Sequence, residues 1–200
     1  MPTAVIPYNR KNAAEYAKRW ALSRNPLYTN YAGIGGDCTN FISQCVLAGS
    51  CEMNFTPVYG WYYLSQTERT ASWTGVEFFY EFMTKNISVG PFASEASAGS
   101  LMIGDVIQLG KYRSGMGMSE ENSIDYYHTL IVTGYNDRTY LVSAHTDDAL
   151  DRPLDTYSYD AARFLHIEGV RIMLGERYDC FNALLNGEMI PGRPMPPEML

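Results

Sequence analysis

The chain has 200 residues, 46% hydrophobic and 18% charged, which excludes a disordered, collagenous or coiled-coil protein and suits one domain with a full core. Lys plus Arg number 15 against 22 Asp plus Glu; the net charge of −7, with no basic run, argues against holding nucleic-acid phosphates. No apolar stretch approaches the ~20 residues of a bilayer crossing, and the Met1-to-Pro7 start has neither the basic nor the apolar region of a signal peptide.

Asn9 is a good N-cap for a helix running to about Ser23, with Ala13, Ala17, Trp20 and Ala21 as its buried stripe and Asn25-Pro26 as its stop. A glycine-rich loop, Tyr28 to Gly36, leads into a second helix over Asp37 to Gly49. Cys38, Phe41, Ile42, Cys45, Val46 and Gly49 fall on one face of it. Residues 50–73 are irregular and rich in Tyr and Trp, and Gly75 to Asn86 reads as an amphipathic helix with Val76, Phe79, Phe82 and Met83 inward. Ser94 to Ser100 reads as a loop, Val106 to Leu109 as a strand, and 110–127 as a loop with acids at 119–125 that either gate or solvate. Two strands follow, His128 to Tyr135 and Thr139 to His145, then a polar loop through Asp147, Asp148, Asp151 and Arg152. Asp160 to Leu165 reads as a helical turn and Gly169 to Leu174 as a last strand. Helices first and antiparallel strands after give an α+β fold, one domain over 1–185 with a Pro-rich tail over 186–200.

Cys38 falls where a coil turns helical. The helix dipole and unpaired backbone N–H groups there favour the thiolate, and Gly35-Gly36 lets the backbone bend and a substrate approach. The plain alternative is the first core residue of a helix. Cys45 reads as a buried small hydrophobe, while Cys51 and Cys180 either pair or simply pack. A thiol nucleophile needs a base, and the chain has three histidines, His128, His145 and His166. If Asn136-Asp137 is a two-residue hairpin loop, His128 lies directly opposite His145, so that one ring acts as base and the other orients it. A one-residue slip would send the rings to opposite faces. His166 follows Phe164-Leu165 and reads as packing. The rival use is a metal site of His128, His145 and Asp147 or Asp148, but no recognised metal motif is present, so no metal or cofactor is expected. Tyr59, Trp61, Tyr62, Tyr63 and Trp73 either line a groove, as a binding module would need, or belong to the core.

The segments Tyr8 to Ala17, Gly35-Gly36-Asp37-Cys38-Thr39-Asn40-Phe41-Ile42-Ser43-Gln44-Cys45, His128-Thr129-Leu130-Ile131-Val132-Thr133-Gly134 and Ser143-Ala144-His145-Thr146 resemble the bacterial putative amidase domain. That family is similar to the papain-like NlpC/CHAP superfamily. The resemblance runs from about Tyr8 to Leu174 and implies a papain-like fold, with Cys38 as nucleophile, His128 as base and His145 as the polar residue that orients it. It also implies cleavage of amide bonds in bacterial cell-wall peptides through a thioester, and an exported location. Papain-type enzymes place a glutamine before the cysteine, and none precedes Cys38. The Cys38 N–H supplies one oxyanion donor; Tyr31, Asp37 and Trp61 are the further candidates for oxyanion or substrate contacts, with helix capping the simpler role for Asp37. Acyl transfer to an amine, as a transglutaminase performs it, and non-catalytic binding of wall peptides are the alternatives.

Overall fold

The computed structural model describes residues 3–113, 123–174 and 179–190. In chain order the elements are β1 (Thr3–Ile6), α1 (Arg10–Trp20), α2 (Cys38–Ser50), α3 (Ala71–Thr74), α4 (Val76–Lys85), β2 (Gly90–Ala96), β3 (Val106–Tyr112), β4 (Ile124–Tyr135), β5 (Tyr140–Ala144), β6 (Ala149–Pro153), β7 (Ala161–Met173) and α5 (Phe181–Asn186). The seven strands form one sheet in the order β1-β7-β3-β4-β5-β6, with β2 also paired to β7, and every pairing is antiparallel. The α+β expectation holds at that level.

Asn9 caps α1 as expected, its side chain accepting a hydrogen bond from the Asn12 N–H at 3.1 Å. All 13 residues of α2 are buried, so this helix is apolar all round rather than on one stripe. It lies in the larger core, made by the helices with Val106, Ile131, Leu165, Ile167 and Val170 from one face of the sheet. Leu101, Ile107, Leu109, Leu130, Val132, Val142, Ala144 and Leu154 form a smaller core on the other face. Both faces of β3 and β4 are therefore covered, which accounts for the unbroken apolar run Leu130-Ile131-Val132.

Three expectations are corrected. The helical turn at 160–165 is the start of β7, whose Ala161-Ala162-Arg163 favours a helix intrinsically but is hydrogen-bonded to β3, and β2 continues the pairing from Phe164 onward. The loop at 94–100 is in part β2, and the polar loop after His145 contains β6. Ile124 and Asp125 open β4, while 119–122 lie outside the described residues. Asn186 closes α5, and the tail from 191 onward also lies outside them. Cys51 and Cys180, left open between pairing and packing, form a disulfide with Cα atoms 5.4 Å apart; Cys38 and Cys45 are free.

Candidate active site

The loop before α2 turns at Gly35 and Gly36, with φ of +109° and +105°, conformations that glycine adopts without strain. Asp37 occupies the N-cap position but makes no capping hydrogen bond with its side chain. Its carboxylate is used elsewhere. Oδ1 accepts from the Tyr31 N–H at 3.0 Å and from Asn40 Nδ2 at 2.8 Å. Oδ2 lies 2.7 Å from Nδ1 of His145 and forms an ion pair at 3.2 Å with Nε of Arg24. Arg24 in turn makes a two-pronged contact with Asp148, both N···O distances 2.9 Å, and this contact holds the Asp148 carboxyl below its usual pKa. The expected capping role of Asp37 is thus replaced by a hub that ties the loop, α1's exit and the loop after β5 together.

Cys38, 7% exposed, follows as the first residue of α2. Among the described residues its Sγ hydrogen-bonds the Thr39 hydroxyl at 3.8 Å, and no hydrogen bond joins it to a histidine. The peptide around it is clamped on both sides. The Asp37 N–H donates to Thr146 Oγ1 at 2.6 Å, and Thr39 Oγ1 lies 2.9 Å from Thr129 Oγ1 on β4. Thr146 and Asp147 both have left-handed backbones, with φ of +59° and +71°. For a β-branched threonine that conformation is costly and is typical of sites where position matters.

The histidine pairing expected from a two-residue hairpin is corrected. Tyr135 pairs with Tyr140, so the loop has four residues, and Asn136 Oδ1 accepts from the N–H groups of Arg138 and Thr139 at 2.9 and 2.8 Å. A bulge between Val132 and Gly134 shifts the ladder, and Ile131 pairs with Ser143. Carried toward the strand ends, that register sets Thr129 rather than His128 opposite His145. Side chains alternate across a strand, so Thr129 faces the helices with Ile131, while His128 shares the face of Leu130 and of its β3 partner Leu109. The two rings therefore point to opposite faces, and the two-histidine metal arrangement loses its geometry with them.

His145 is buried on the helix side, stacked on Phe41 with 3.8 Å between centroids. Nδ1 faces Asp37, and Nε2 lies 2.9 Å from the Trp20 carbonyl oxygen. With an acceptor at each nitrogen, the ring has no free position for a substrate proton. His128 is also buried, and burial lowers its pKa from 6.5 to about 4, with Asp147 opposing and Arg152 reinforcing the shift. Its ring lies 6.2 Å from that of Tyr127 and 6.0 Å from that of Tyr157.

Tyr31 is buried, with Arg69 over its ring; among the described residues its hydroxyl makes no well-formed hydrogen bond, although Arg69 and Thr29 lie close to it. Trp61 is fully buried, donates from Nε1 to Ser43 Oγ at 3.0 Å and packs on Trp73 and Phe82, so it is a core residue without a groove to line. Of its aromatic neighbours in sequence, Tyr62, Tyr63 and Trp73 are buried too and Tyr59 is exposed. His166 packs between Arg10 and Asp105, its Nδ1 2.7 Å from Asp105 Oδ2. The sequence singles out Thr129, Thr146 and Arg24 for no role, and Arg152 only as part of a polar loop. Thr129 and Thr146 each follow a singled-out histidine, which was the one available signal, while the two arginines come together with the site only through the fold.

No solved structure matches the chain. It is 35% identical over 101 residues to "Uncharacterized protein YhbB" of Bacillus subtilis (strain 168), covering 50% of this chain and 32% of the relative. It is 27% identical over 152 residues to "Uncharacterized protein YjcM" of the same organism, covering 76% of this chain and 34% of the relative. The chain thus spans about a third of the length of these curated relatives. Residues 7–168 match the family described as putative amidase domain, and the chain belongs to that family, whose description points to the hydrolysis of amides.

Proposed function

We propose that the chain is a thiol-dependent amide hydrolase of papain-like design in which Cys38 is the nucleophile and His128 the base. What supports this reading is the pair of threonine clamps, Asp37 N–H to Thr146 and Thr39 to Thr129, which hold the residues on either side of Cys38, the second against the β4 residue next to His128; the His128 ring has to turn toward the sulfur before it can take the proton. With its pKa near 4, His128 is a neutral imidazole at neutral pH, able to accept a proton. It takes the thiol proton as the sulfur attacks the amide carbonyl, passes it to the leaving amine, and then activates the water that cleaves the thioester. The Asp37 side chain is committed to its hub, so the first-turn N–H groups of α2 have no side-chain cap from it and are left to stabilise the oxyanion. Tyr31, whose hydroxyl makes no well-formed hydrogen bond among the described residues, is the side-chain candidate to join them.

In this reading His145 is a positioning residue. It acts on Cys38 through Asp37 rather than on the His128 ring. The substrate class that the NlpC/CHAP resemblance suggests is a bacterial cell-wall peptide. The test is turnover of a panel of cell-wall stem peptides and simple peptide amides. Cys38→Ala and His128→Ala should each lower kcat at least ~1,000-fold, and His145→Ala by less. Retained turnover in Cys38→Ala overturns the reading. Preferential incorporation of an added amine would assign the thioester to acyl transfer instead.

A further inference from the structure

Beyond the nucleophile and base, one group of side chains around His128 has a defined geometry and no assigned task. Arg152 lies over the face of the Tyr157 ring, 4.1 Å from guanidinium carbon to centroid, and the Tyr157 ring lies 6.0 Å from that of His128. The guanidinium is oriented by Thr156, whose Oγ1 accepts from Nε at 2.9 Å. Its Nη1 donates to Asp147 Oδ2 at 2.8 Å. The two ends of that ion pair differ in exposure: the Arg152 side chain is 35% exposed and the Asp147 side chain 79%. Asp147 follows Thr146, which holds the Asp37 N–H beside Cys38. The group therefore reaches from the base toward the nucleophile loop. The Tyr157 hydroxyl within it is buried and, among the described residues, makes no well-formed hydrogen bond, while Arg152 lies close enough, as a charge and as a donor, to oppose the rise in its pKa that burial causes.

An exposed carboxylate on a left-handed loop residue, resting on a stacked and braced guanidinium, is easily exchanged for another carboxylate. We propose that Arg152 and the Tyr157 hydroxyl form a carboxylate-binding subsite beside His128, occupied in the resting protein by Asp147, and that the amide substrate carries a free carboxylate near the bond cleaved. This deepens the hydrolase reading and rests on it. The guanidinium accepts the carboxylate in the place of Asp147, and the Tyr157 hydroxyl donates to it.

Alkylation of the thiol tests the subsite, because iodoacetate carries the carboxylate that iodoacetamide lacks. Both rates are measured at Cys38 by peptide mass spectrometry, with the fully buried Cys45 as the internal check on folding. In the wild type iodoacetate should show saturation, and its rate relative to iodoacetamide should exceed that of free cysteine by about tenfold or more, the factor that ~1.4 kcal/mol of selective binding gives. Arg152→Gln should abolish saturation and return the ratio to that of free cysteine, while Asp147→Asn should raise it. If Cys45 becomes labelled in Arg152→Gln, Arg152→Lys decides: it keeps the charge without the fork and should lose most of the preference. A ratio unchanged by loss of the fork, or iodoacetate kinetics without saturation, overturns the subsite. Slow labelling of Cys38 by iodoacetamide itself strikes instead at the nucleophile, so the two failures are distinct. Protection by N-acetylglycine or by N-acetylglutamic acid α-amide then separates a chain-terminal from a side-chain carboxylate, and protection by neither also overturns the proposal.

Discussion

The two ends of α2 each begin or finish at a cysteine and treat it in opposite ways. At the C-terminal end Cys51 takes a left-handed cap conformation, its N–H bonded to the Leu47 carbonyl at 2.7 Å, and its sulfur is covalently tied to Cys180. At the N-terminal end Cys38 stays a free thiol, and the chain around it is held by hydrogen bonds and ion pairs alone: the Asp37 hub and the two threonine clamps. Between them Cys45 is fully buried and its pKa is raised well above the ordinary value by burial, which keeps it inert. One helix thus carries a structural sulfur, a silent sulfur and a candidate reactive sulfur, and environment alone separates them.

The comparison is broken most severely at Asp37. Asp37→Ala removes the carboxylate that His145 and Arg24 face, leaving the buried His145 Nδ1 without its partner and Arg24 with Asp148 alone. We expect a loss of ~3–5 kcal/mol in denaturant unfolding, together with loss of turnover. A loss below ~1 kcal/mol would show that the hub is not what holds the nucleophile end.

The opposite end is sharpened by the double variant Cys51→Ala/Cys180→Ala. The bond joins residues 129 apart in sequence, and its removal should cost ~2–4 kcal/mol. Because α2 is held independently at Cys38, alkylation of that thiol under native conditions should change little. A large change there would make the two ends one cooperative unit.

His128 gives a third effect, of similar or smaller size. Its folded pKa of about 4 lies below the unfolded value of 6.5, so the unfolded chain takes up the proton first. The site costs nothing at neutral pH, and stability is lost as pH falls from 6.5 through 4, by on the order of 3 kcal/mol in full. The wild type measured against His128→Gln isolates this loss from the carboxylates that titrate nearby. Parallel pH curves for the two proteins would contradict the burial assigned to His128.

Much of this was legible in the sequence because it was local. The Asn9 cap, the helix starting beside Gly35-Gly36-Asp37-Cys38 and the amphipathic helix at 76–85 all follow from patterns within a few residues. The misreadings share one cause: tertiary pairing overrode a local signal. Ala161-Ala162-Arg163 prefers a helix and became strand because β3 offered it hydrogen bonds. Asn136-Asp137 suits a two-residue turn, yet Asn136 built a longer one with its own side chain, and the bulge near Gly134 completed the slip that parted the two histidines. Asp37 looked like a cap because caps are local, whereas its partners His145 and Arg24 are brought to it by the fold. Arg152 and Tyr157 became visible only once β6 and the turn after it lay beside His128.

The central claim is that Cys38 forms a covalent acyl bond with an amide substrate. Rapid acid quench during turnover of a cleaved stem peptide, followed by peptide mapping, tests it most directly. The account predicts a hydroxylamine-labile acyl adduct on the Cys38 peptide, accumulating when release is slowed. Turnover without any adduct there, or an adduct on another residue, would contradict it.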